Sequence, residues 1–64
     1  MHYSKMDLVM KRNKITTARL AETTGLSLAT VRSLRYGYRQ LAKTETETAL
    51  KIASALGVKL QTIL

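Results

Sequence analysis

Apolar residues recur three and four positions apart along most of the chain, with polar residues between them. Met6, Val9 and Met10 make the first stripe. Leu20 and Ala21 make a second, Val31 and Leu34 a third, and Ala49, Leu50, Ala53 and Leu56 a fourth. Leu60, Ile63 and Leu64 close the series. Such spacing puts each set on one face of a helix. Proline is absent, which suits helix interiors. The pattern predicts an all-α fold of four to five helices. The first begins near Ser4 or Lys5 within residues 1–13, the second spans 17 to about 24, and the third spans 27 to about 36. A loop covers 37–43. A fourth helix starts after Thr44, and a short last turn follows Val58.

Start and stop signals agree with these stripes. Ser4 with Asp7 forms a weak capping box, with Asp in place of the usual Glu. Thr16 and Ser27 are good N-caps for the second and third helices. Thr44 and Glu47 have the S/T-x-x-E spacing of a capping box. Gly25 can adopt the positive φ that ends a helix without a Cβ penalty; Gly37 and Gly57 stand at the ends of the third and fourth helices. Ala21 is small enough for two helices to cross closely, and Leu26 is the buried residue of the turn. Ile15 belongs to the core, while Arg19 and Glu22 point outward. Helix, glycine turn and helix over residues 17–36 make a helix-turn-helix, the arrangement that DNA-binding proteins place on the major groove.

Charge sharpens this picture. Eleven Lys and Arg against four Asp and Glu give a net charge of +7 and a pI near 10.3, a balance that favours polyanionic partners. Between Glu22 and Glu45 there is no acidic residue, and that interval holds Arg32, Arg35, Arg39 and Lys43. Lys11, Arg12 and Lys14 cluster at the end of the first helix, where cations favour the helix dipole. The 64 residues suit one domain, 1–64, that buries only about 60% of its unfolded surface. There is no cysteine, hence no disulfide or thiolate metal site. Apolar runs fall far short of the roughly 20 residues that span a bilayer. His2 is the single histidine and has no nucleophile or metal partner near it in sequence, and no glycine-rich phosphate loop is present. These features point to a cytoplasmic protein without enzymatic activity, cofactor, metal or small-molecule ligand.

The chain resembles the lambda-repressor-like helix-turn-helix family, which includes phage Cro proteins, phage repressors and xenobiotic-response-element-type regulators. The matching residues are Ile15, Thr16, Leu20, Ala21, Gly25, Leu26, Ser27, Thr30, Val31, Leu34 and Gly37, then Lys51, Ile52, Ala53, Ala55, Leu56, Gly57 and Val58. The resemblance is weakest over 1–5 and 38–44. It implies a transcriptional regulator whose third helix lies in the major groove of double-stranded DNA. Base-reading positions are then Ser27, Leu28, Ala29, Arg32 and Ser33. Backbone-contacting positions are Thr17, Thr30, Tyr36, Gly37, Tyr38, Arg39, Gln40 and Lys43. Relatives often carry polar residues where Leu28 and Ala29 stand; Leu28 either presses on a thymine methyl or is tucked into the core.

Many relatives also pair an arginine late in the first helix with a glutamate late in the third. Met10 and Arg35 occupy those places here, leaving Arg35 for DNA, Glu22 or Asp7. The family's usual homodimer on a near-palindromic operator implies a contact surface at Val58, Leu60, Ile63 and Leu64, with Leu41; equally, these residues can close the core of a monomer. The same fold serves antitoxins and adaptors, so binding of a partner protein is the alternative function.

Overall fold

The computed structural model describes residues 4–64, and these contain five α-helices and no strand. They are α1 (Lys5–Arg12), α2 (Thr17–Thr24), α3 (Leu28–Arg35), α4 (Thr46–Leu56) and α5 (Leu60–Ile63). A 3-10 turn, Leu41–Lys43, interrupts the loop between α3 and α4. His2 lies outside the described residues. α2 packs on α3 and α4, α1 packs on α3 and α5, and α4 packs on α5. Each helix sends its apolar stripe to one shared core, built on Met6, Met10, Leu20, Val31, Leu34 and Ile52. Burying each of these side chains stabilises the fold by about 1.5–3 kcal/mol relative to exposure.

Three helices start on a hydroxyl. The Ser4, Thr16 and Ser27 side chains accept from the N–H groups of Asp7, Arg19 and Thr30, at 3.1 Å in each case, satisfying donors that have no partner inside the helix. Ser4 does more. Its hydroxyl donates to the Arg35 carbonyl at 2.7 Å, tying the start of α1 to the end of α3. α2 ends at Gly25, whose φ is +76°. An added Cβ there would meet nothing within 4 Å, so backbone conformation, not close approach, calls for glycine at this turn. Thr24 completes the turn: its hydroxyl donates to the Leu20 carbonyl at 2.8 Å and accepts from the Leu26 N–H at 3.3 Å.

Three expectations are corrected. The Thr44–Glu47 capping box does not form. Glu45 holds the N-cap position of α4 without a side-chain cap. Thr44 belongs to the preceding 3-10 turn, where its N–H bonds the Leu41 carbonyl and its hydroxyl donates to the Gln40 carbonyl at 3.2 Å. Leu50 is 51% exposed and Ile52 takes its place in the core, because the inner face of α4 runs through 49, 52, 53 and 56. Ile63, 2% exposed, and Leu41 are also core residues, so neither lies on a free contact surface. α5 closes the core over α1 with Ile63; Val58 and Leu60 are half-buried against that core, and Leu64 is exposed.

Candidate nucleic-acid interface

α3 is amphipathic in a way that dictates the interface. Val31 and Leu34 are buried. At 3.6 residues per turn, the opposite side carries Leu28, Ala29, Arg32, Ser33 and Tyr36. Leu28, Ala29 and Arg32 are exposed, and Ser33 and Tyr36 are half-buried at the edge. Leu28 is 43% exposed, which resolves its two readings in favour of the surface. Ser27 is exposed, but its hydroxyl accepts from the Thr30 N–H and donates to the Thr30 hydroxyl at 2.8 Å. Its side chain therefore serves the start of α3 first.

Two clefts flank this face. The first lies between the end of α1, the start of α2 and α3. Lys11, Lys14, Thr17, Leu28, Arg32 and Arg35 are on its walls. The second lies between α3 and the start of α4, and Thr30, Tyr38, Arg39, Gln40 and Lys43 line it. Gly37 is exposed beside this loop with φ +84°, and the Arg39 N–H returns to the Ser33 carbonyl at 3.1 Å. Of the predicted positions, Thr17, Leu28 and Arg32 thus line the first cleft and Thr30, Tyr38, Arg39, Gln40 and Lys43 the second, with basic residues in both.

Arg35 and Lys11, on the walls of the first cleft, both pair with a buried carboxylate. Asp7 is 1% exposed. Arg35 Nε donates to Asp7 Oδ1 at 2.6 Å, and Lys11 Nζ lies 3.3 Å from Oδ2. Arg35 Nη1 donates to the Thr17 hydroxyl at 2.9 Å, and its guanidinium stands 5.4 Å from the Tyr36 ring centre, within cation–π range. Burial pushes the Asp7 carboxyl upward; hydrogen bonds from Arg35 and then Lys11 outweigh it and hold the group below the ordinary aspartate value. Of the three options open to Arg35, Asp7 is its partner. An ion pair therefore joins the first turn of α1 to the end of α3.

The sequence offers Asp7 both as a capping residue and as one of three options for Arg35, and does not choose between those options; the structure does. Ser4 does accept the Asp7 N–H, yet the carboxylate turns inward. A signal was present: Asp7 is next to Met6 and three before Met10, and Arg35 follows Leu34, so both charges border apolar stripes.

Away from this side, Leu50, Val58, Leu60 and Leu64 border a shallow, largely apolar depression over α4 and α5. Among the described residues no group of three or more His, Asp or Glu side chains gathers as a metal site, and no helix is long and apolar enough to cross a membrane.

No curated protein and no solved structure matches the chain. A profile of the Cro/C1-type HTH DNA-binding domain, however, matches residues 5–64. That span holds all five helices, both clefts and the exposed face of α3, and by it the chain belongs to the Cro/C1-type helix-turn-helix DNA-binding domain family.

Proposed function

We propose that this DNA-binding regulator recognises a specific near-palindromic operator as a homodimer and represses transcription by excluding polymerase, in the cytoplasm of a bacterium or a phage-infected cell. The observation that carries the reading is the free face of α3 between two basic clefts. Arg32 is the residue for hydrogen-bonded readout, since an arginine fork matches guanine O6 and N7, a contact worth about 1–3 kcal/mol of discrimination. Leu28 and Ala29 offer apolar contact to a thymine methyl. Ser33 and Ser27 stand at the edge of the reading surface. Thr17 on one margin, and Thr30, Tyr36, Gly37, Tyr38, Arg39, Gln40 and Lys43 on the other, contact phosphates and set the register.

The dimer is proposed to form through Val58, Leu60 and Leu64, with Leu50 added by its exposure. A body of 28 × 24 × 22 Å suits half-sites about 34–36 Å apart, with two copies side by side on one face of the duplex.

Selection from a random duplex library at about 150 mM salt, followed by sequencing, tests the proposal. The expected result is a palindromic motif with guanine beside thymine in each half-site. Enrichment of no motif, with binding that collapses as salt rises, would refute sequence-specific recognition and leave counterion release as the source of affinity.

A further inference from the structure

The two arginines of α3 behave differently. Arg32 is exposed, whereas the Arg35 side chain is 12% exposed and turns inward. Its Nε is held by Asp7 and its Nη1 by the Thr17 hydroxyl. A threonine hydroxyl has one proton to give and two lone pairs to accept with. At Thr17 one lone pair takes the Arg35 N–H, and the hydroxyl proton meets no acceptor among the described residues. The N–H groups of Thr17 and Ala18, in the first turn of α2, also take no bond there; the cap of this helix, Thr16, serves the N–H of Arg19 instead. Lys11, Lys14 and Arg32 stand on the walls of the same cleft. Thr17 and Ala18 line that cleft too, so three unused donors stand beside cationic side chains.

We infer that Arg35 is a positioning residue for DNA binding: anchored by Asp7, it fixes the Thr17 side chain so that the hydroxyl proton points outward to a backbone phosphate. This rests on the DNA-binding reading above. Arg35 does not grip the phosphate itself, because two of its donor groups are occupied and Asp7 offsets its charge. Its contribution is preorganisation. The Thr17 rotamer is set when the chain folds, so less freedom is lost on binding. The short Thr17 side chain is held in place by the mostly buried Arg35 guanidinium.

The test is a titration of a labelled mixed-sequence duplex of about two helical turns, over a range of salt. The wild type is compared with T17V, T17S, R35K and T17V/R35K, each checked for folding. T17V is expected to weaken binding about fivefold, the worth of one hydrogen bond. Its log–log salt slope should be unchanged, since no cation is lost. T17S, which keeps the hydroxyl, should recover most of that loss. R35K should lose about as much as T17V when alone and nothing further when combined with it.

If R35K does not fold, D7N replaces it, with the same expectation: a loss alone and none beside T17V. Equal binding by all variants, or losses that multiply in the double variant, overturns the inference while leaving the regulator reading intact. A wild type that binds no duplex overturns both.

Discussion

The two flanks of α3 are built on different principles. On the α1–α2 side, Asp7, Arg35, Thr17 and Lys11 form a network with a buried carboxylate at its centre. On the α4 side, Tyr38, Arg39, Gln40 and Lys43 are all exposed. That loop is anchored by Leu41 in the core and by short-range turn bonds such as Lys43 N–H to the Gln40 carbonyl at 3.0 Å. The first flank sets its geometry during folding. The second presents its polar and basic side chains to solvent. The two flanks should therefore differ in stability: loss of the buried Asp7 carboxylate on the first lowers folding stability, whereas damage to the exposed side chains of the second lowers DNA affinity in a protein of unchanged stability.

The largest effect is expected from Asp7→Ala. It leaves the mostly buried Arg35 without its counter-ion, and breaking a buried pair from one side costs about 3–5 kcal/mol. In a chain of this size that lowers the thermal midpoint by at least about 12 °C. Thermal unfolding followed by circular dichroism checks it; a shift of only a degree or two would mean that the network is a bystander. Second in size is the R39A/K43A double variant. It should stay within about 0.5 kcal/mol of wild-type stability, while the salt slope of DNA binding falls by about 0.9 for each phosphate contact removed. Retained affinity and slope would remove the loop from the interface.

The third prediction concerns pH. The Asp7 carboxyl is held below its ordinary value, so the unfolded chain binds a proton there more readily than the folded one. The stability it contributes is present above the unfolded value, near about 3.9, and is lost as pH falls through the lower folded value. Unfolding free energies between about pH 6 and pH 2.5 should fall steeply at the acid end for the wild type and less steeply for D7N. Parallel curves would contradict the assignment.

The smallest effect is predicted at Lys14, which ends α1 with a φ of +56°, a left-handed conformation unfavourable for a residue with a Cβ. Ile15 N–H reaches back to the Met10 carbonyl at 2.9 Å across it. Lys14→Gly should raise stability by up to about 1 kcal/mol and weaken DNA binding, since Lys14 lines the first cleft. A gain in both would show that the strained lysine has no role on DNA.

Local signals were legible in the sequence because their causes are local. Ser4, Thr16 and Ser27 cap within three residues of themselves, and Gly25 ends α2 through its own φ. The stripes of α1, α2 and α3 follow from helical period alone. Features that depend on distant partners were legible only as alternatives, or not at all. Asp7 and Arg35 are 28 positions apart, and no spacing rule distinguishes a capping carboxylate from one that turns toward another helix. Thr44 matched a capping motif but was claimed by a 3-10 turn that begins at Leu41. Leu50 continues an apolar run, yet the turn of α4 carries it outward. On α3, helical period alone left Leu28 with two readings, and only the packing of its neighbours decided them.

The central claim is that the free face of α3 reads bases while its flanks hold the backbone. The most direct measurement repeats the random-duplex selection with Arg32→Ala beside the wild type. The account predicts that the variant still binds and still enriches paired half-sites, but loses guanine preference at one position in each. An identical motif from both proteins would contradict it, and would mean that Arg32 does not read the base pairs.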